Sequence, residues 1–316
     1  MAPLLKRWIM RWSGICSAVV VLIVFCQTSS PRGEFEFRVE PGRSVLQICQ
    51  RILELKGPAC SDLDRAAQDI SDELLFEPAP GDLPVQKREI IHLVRFEGLF
   101  VPGHHSIVRG NDSIETARNI LQTMLEKSRQ RFQAMESSTG TRSEILTTDT
   151  RSQNLTLKEQ MILASIVEKE AASNKNYEQV ASVFLNRLNT RQALGSCPTV
   201  EYGLGYHRPF LLFKDLELQS RYNAYKRVGL PPTPIGAFSD GAFRAVLQPA
   251  RDENIFFVFD WTTGNLHFAE KYSEHKRNAA MARANFIDRY GKSLMYRRFD
   301  DLYYEPIPEK SAPKDN

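Results

Sequence analysis

The run Thr156-Leu-Lys-Glu-Gln-Met-Ile-Leu-Ala-Ser-Ile-Val-Glu-Lys-Glu170 governs the reading of the chain around it. Thr156 with Glu159 three positions on is a capping box, in which each side chain satisfies the other residue's backbone N–H, so a helix starts here. On that helix Leu163, Ile166 and Val167 share a face with Glu170. A carboxylate at the C-terminal end of an apolar face is disfavoured twice, by desolvation and by the negative end of the helix dipole. A carboxyl still protonated near neutral pH is what protonation of a leaving-group oxygen requires. Glu168 lies ~200° away from Glu170 around the helix, which keeps it out of the same pocket directly. Lys169 is expected in solvent. On spacing alone, the three charges also fit the wet end of an ordinary helix, and only the neighbouring segments separate the two readings.

C-terminal to this run, Val180, Val183, Phe184 and Leu188 mark a second amphipathic helix over 177–188. Loops rich in Tyr, Asn, Thr and Pro follow at 194–205, 222–225 and 229–234. Flat rings beside amides and hydroxyls suit sugars, which have apolar faces and hydroxyl rims. Ile255-Phe-Phe-Val-Phe259 reads as a buried strand, a second strand is expected near 266–268, and 273–290 as a helix; beyond 291 the tail is charged and expected to be mobile. N-terminal to the run, 136–153 is polar and reads as a loop. Residues 113–135 form an amphipathic helix with Ile114, Ala117, Ile120, Leu121, Met124 and Leu125 inward, and 90–94 suggests a strand or short helix. The Pro-rich stretch 77–85 is the best domain boundary. Before it, Phe37–Val39 reads as a strand, Pro41-Gly42 as a turn, and Val45, Ile48, Ile52 and Leu55 as the stripe of a helix capped by Ser44 and ended by Gly57-Pro58. Helices and strands without regular alternation favour an α+β fold.

Lys6, Arg7 and Arg11 precede an uncharged stretch from Trp12 to Ser30 whose apolar heart is 19–25. A membrane span needs roughly 17–25 such residues, and the basic flank predicts a cytoplasmic N-terminus with the remainder exported. A retained anchor is favoured over a cleaved signal peptide because no small-x-small site precedes Pro31. The net charge of +3 gives no reason to expect nucleic acid. Of the five cysteines, Cys16 and Cys26 lie in the anchor; Cys49 and Cys60 can pair in an oxidising compartment or stand as separate thiols, and Cys197 is left over. No spacing resembles a metal site, and neither a metal nor an organic cofactor is implied.

With Leu163-Ala-Ser-Ile-Val-Glu-Lys-Glu-Ala171 stand further ordered motifs: Glu97-Gly-Leu-Phe-Val-Pro102, Val180-Ala-Ser-Val-Phe-Leu-Asn-Arg-Leu188, Pro198-Thr-Val-Glu-Tyr-Gly-Leu-Gly205, Tyr222-Asn-Ala-Tyr225, Gly229-Leu-Pro-Pro-Thr-Pro-Ile235 and Glu274-His275. Together they resemble the MltG/YceG-like endolytic murein transglycosylases, and the strand–turn–helix at 37–57 is similar to the LysM-like module preceding the catalytic region in that family. The resemblance implies an anchor at 1–30, a LysM-like module and linker at 31–85, a catalytic domain at 86–290 and a tail at 291–316. It implies cleavage of the β-1,4 bond between N-acetylmuramic acid and N-acetylglucosamine without water, leaving 1,6-anhydro ends, with Glu170 as the catalytic acid and base and Glu168 supporting it. It implies that Asn186, Thr199, Tyr202, Tyr222, Asn223, Tyr225 and His275 line the glycan cleft. The partners implied are peptidoglycan strands, the cytoplasmic membrane and the glycan-polymerising and elongation machinery. The chain departs from the family pattern at Gly195, Cys197 and Ala237. Two other readings follow from the residues: a glycan-binding scaffold that no longer cuts, and a hydrolase using Glu201 or Asp215 as a second carboxylate.

Overall fold

The computed structural model describes residues 33–138, 151, 154–171 and 174–299. The expected anchor within 1–30 lies outside them, as does most of the expected loop at 136–153. Among the described residues, no helix is long and apolar enough to cross a membrane.

The chain begins with strand β1 (Glu34–Val39), whose side chains alternate strictly between solvent and core, followed by helix α1 (Val45–Glu54) and helix α2 (Cys60–Gln68). Gln47 accepts the Ser44 N–H at 2.9 Å, so the expected helix start is present, though the box partner is Gln47. Cys49 and Cys60 form a disulfide that staples α1 to α2. After the Pro-rich stretch come two single turns, α3 (Val85–Arg88) and α4 (Ile91–Val94), then strand β2 (Gly103–Val108). β2 pairs antiparallel with β1, with Phe35 opposite Ile107 and Phe37 opposite His105. This strand was not expected from the sequence, because Pro102-Gly-His-His-Ser carries little strand signal. Its pairing joins chain on both sides of the 77–85 stretch, and the first strand–helix unit is completed by residues beyond that stretch. The long helix α5 (Ser113–Ser138) covers α2, with Ala117, Ile120, Leu121 and Met124 fully buried.

Helix α6 (Leu157–Glu170) starts at the expected capping box: Thr156 N–H donates to Glu159 at 2.8 Å and Thr156 Oγ1 accepts from the Glu159 N–H. It is not a one-faced helix. Every residue from Met161 to Val167 is buried, because α7 (Tyr177–Asn189) and α10 (Asp240–Leu247) pack on it from different sides. A helix apolar all round marks the centre of a core. Between these lie α8 (Cys197–Leu204), in a segment expected to be loop, and the single turn α9 (Phe213–Leu216). Strands β3 (Phe256–Asp260) and β4 (Asn265–Ala269) form a hairpin covered by α11 (Tyr272–Tyr290). β3 is half-buried rather than enclosed, since it forms one wall of a cleft. Part of the expected mobile tail is docked: Met295 is buried and Phe299 exchanges backbone hydrogen bonds with His207. The elements are mixed helix and sheet, as an α+β reading requires.

Candidate active site

The last turn of α6 emerges from the core into a cleft of about 1020 Å³, and Glu168, Lys169 and Glu170 all line it. The opposite wall is β3 with the face of α11, presenting Phe256, Phe259, Trp261, Tyr272 and His275. The rim is built from α8 and the 208–213 segment, and Phe213 stands almost wholly in solvent.

Glu170 is set between two helix ends. The C-terminus of its own helix repels negative charge, while the N–H groups at the start of α8, Cys197 foremost, lie towards its carboxyl. Desolvation outweighs these donors, and the nearby charge of Glu201 adds to it; Arg187 opposes. The carboxyl is pushed up from its ordinary value to about 7. Lys169, expected in solvent, is desolvated at the cleft wall and pushed down to about 8, with Glu201 and Glu97 pulling the other way.

Glu168 turns to the other side of the helix, as expected, yet still lines the cleft. It accepts from the Tyr177 hydroxyl at 2.7 Å and from both the N–H and hydroxyl of Ser239 at 2.9 and 2.7 Å. Ser239 is the N-cap of α10, so Glu168 locks the end of α6 to the helix beside it. Ser165 does the same for the proline loop, accepting the Ile235 N–H at 3.0 Å.

The other expected site residues divide. Tyr225 and His275 line the cleft with Glu170. The Tyr225 hydroxyl meets the Cys197 thiol at 3.1 Å, and burial pushes both groups up. His275 stacks on Phe256 at 5.1 Å, and desolvation pushes its imidazole down. Asn186, Thr199, Tyr202, Tyr222 and Asn223 are not brought to the cleft. Asn186 donates to the Asp252 and Asn254 carbonyls at 3.0 and 2.9 Å, tying α7 to the approach of β3. Thr199 bonds the Ser196 carbonyl within its own helix start. Asn223 donates to the Leu216 and Leu218 carbonyls and fixes the turn that places Tyr225. Tyr222 meets the Thr233 hydroxyl at 2.8 Å in the core. Tyr202 donates to the wholly buried Glu97 at 2.7 Å.

Glu97 also accepts the N–H of Val45, the first residue of α1, at 3.0 Å. Desolvation pushes its carboxyl up to about 7 despite Lys87 nearby. This carboxylate joins α1 to α8 and brings the Pro41-Gly42 turn to the cleft mouth, where Gly42 N–H donates to the Ala237 carbonyl at 2.6 Å. Gly98 follows with φ of +80°, and a Cβ there would press on Pro234 at 2.7 Å, so only glycine fits. Sequence reasoning passed over Arg187 and raised Glu201 only as a hydrolase's second carboxylate; both are in the cleft lining. No periodicity could have found them, because their relevance comes from which loops meet. Asp215, the other carboxylate considered, is buried against Arg208 and Tyr206 away from the lining.

A family model described as the YceG-like family matches residues 22–281. The chain is 32% identical over 146 residues to an endolytic murein transglycosylase of Bacillus subtilis (strain 168), covering 46% of this chain and 40% of that one. It is 28% identical over 254 residues to an endolytic murein transglycosylase of Streptococcus pneumoniae (strain R6), covering 77% and 43%. It thus spans about two fifths of the length of these curated relatives. Its fold is similar to the crystal structure of a yceG-like protein from Listeria monocytogenes, with a TM-score of 0.58 at 23% identity, covering 77% of this chain and 75% of that one. The extent of the family match, with the α6 terminus and its cleft in place, makes this chain a member of the YceG-like family.

Proposed function

We propose that this protein is a peptidoglycan lytic transglycosylase with Glu170 as its acid and base. One observation carries the reading: a carboxyl held up to about 7 at a helix end inside a cleft walled with aromatic rings. The names of the two curated relatives support it. In the first half of the reaction Glu170 gives its proton to the glycosidic oxygen, and the bond from that oxygen to the muramic anomeric carbon breaks. The 6-hydroxyl of the same muramic residue then bonds to that carbon and returns its proton to Glu170. One carboxyl suffices because no water is activated; ordinary glycosidases need two. Tyr225 and His275 contact the glycan, and rings such as Trp261 and Tyr272 offer faces to sugar rings. Glu168 supports the site by holding α6 to α10. Asn186, Thr199, Tyr202, Tyr222 and Asn223 act by shaping the loops around it.

The unit works outside the cytoplasm, tethered to the cytoplasmic membrane by a single span within 12–30, as a catalytic domain at 86–290 preceded by the LysM-like module at 31–85. The Cys49–Cys60 disulfide supports an oxidising compartment. Its protein partners would be the glycan-polymerising and elongation machinery that shares its substrate. Incubation of the purified protein with peptidoglycan sacculi, followed by mass analysis, tests the reading. Anhydro-muramic ends that disappear in Glu170→Gln are expected. Retained binding without products would favour the scaffold reading, and reducing ends would favour a hydrolase.

A further inference from the structure

Glu201 has no place in the reaction just described, yet it is a buried, hydrogen-bonded carboxylate in the cleft lining. It lies one turn after Cys197 on α8, so both face the same way, and both line the cleft with Glu170. Its side chain is 2% exposed. One carboxylate oxygen accepts the Arg208 N–H at 3.0 Å and the other lies 3.2 Å from His207 Nδ1. A carboxylate only accepts hydrogen bonds, so two donors hold it in one pose.

The groups around the pair come from every adjoining element. Arg187 of α7, Cys197 of α8, and Tyr225 of the following loop face Glu170. Lys169 of α6, with His207 and Arg208, faces Glu201. We propose that Glu201 is a positioning residue for the proton donor: fixed in the same cleft as Glu170, one turn along α8 from Cys197, it sets the charge on that side of the cleft and draws Lys169 into the cleft wall. The inference rests on the transglycosylase reading. A like charge disfavours ionisation of its neighbour, and this acts in the same direction as the desolvation already pressing on Glu170. The opposite charge of Lys169 is stabilised in turn, against a burial that otherwise disfavours it.

The full chain and its variants would be assayed for anhydro-muramic ends across the pH range, with thermal unfolding as a check on folding. Wild type is expected to lose activity as pH rises through about 7. Glu201→Gln is expected to move that alkaline limb down by about one pH unit, giving roughly tenfold less activity than wild type above both limbs and a rate within about twofold below them. Glu201→Asp, which keeps the charge, is expected to leave the limb in place. Glu201→Leu serves if the Gln variant does not fold, since an apolar replacement of a buried ion is often well tolerated. An unmoved limb in a folded neutral variant overturns the proposal, and so does an equal loss at every pH. A chain that folds with neither neutral residue marks Glu201 as purely structural and overturns it too. Wild-type turnover by Glu170→Gln would instead overturn the transglycosylase reading itself.

Discussion

Replacing Glu170 by Gln is expected to make the protein more stable at alkaline pH while abolishing cleavage. The ordinary carboxyl value is 4.5 and the folded chain pushes Glu170 up to about 7. Between those two values the folded protein binds a proton that the unfolded chain has released, so stability falls as pH rises through that window. The difference of about 2.5 units corresponds to roughly 3 kcal/mol at about 1.4 kcal/mol per unit. Water reaching the carboxylate through the cleft reduces that figure, so 3 kcal/mol is an upper value. Gln keeps the shape and carries no charge at any pH. Below about pH 4.5 wild type and variant should therefore unfold together; by pH 8 to 9 the variant should be ahead by up to ~6 °C, taking ~2 °C per kcal/mol for a unit of this size. Circular dichroism melts of both proteins across that range measure the gap. Other buried groups, including Glu97 and Lys87, titrate in both proteins and largely cancel in the difference. A gap that stays constant with pH, or a variant that loses stability as pH rises, would refute the placement of Glu170 in a desolvated, charge-hostile pocket.

Tyr222→Phe removes a buried hydroxyl that meets Thr233 at 2.8 Å. It should cost about 1–2 kcal/mol in denaturant unfolding and leave KM for glycan unchanged, because the ring lies in the core. Cys49→Ser opens a disulfide between residues 11 apart in sequence and should lower stability by about 3 kcal/mol, seen as an earlier unfolding midpoint. Gly236→Ala would set a Cβ 2.6 Å from the Gly42 carbonyl oxygen. It should push the 41–43 turn off the cleft mouth, at about 1–3 kcal/mol, with a rise in KM in steady-state cleavage assays.

The start of α6 was legible because a capping box is chemistry between neighbours: Thr156 and Glu159 need nothing else to announce it. Strand β1, helices α1, α5, α7 and α11, and the β3–β4 hairpin were likewise written in periodicity, which reflects only whether a face meets core or water. Glu170 stood out for the same reason, as a charge where periodicity demanded an apolar side chain. The all-round burial of α6, the pairing of β2 with β1, and the docking of 292–299 were not legible, since each depends on a partner distant in sequence. Tyr202 and Tyr225 illustrate the limit. Both are tyrosines in polar, proline-rich surroundings, and one closes a buried bond to Glu97 while the other faces the cleft. Local sequence determined where the strongly patterned segments would be helix or strand and which carboxyl ended an apolar helix face, because those follow from neighbours along the chain. Which polar groups line the cleft, and that Glu201 shares it with Glu170, was decided by tertiary structure alone, because electrostatic proximity depends on distance through space.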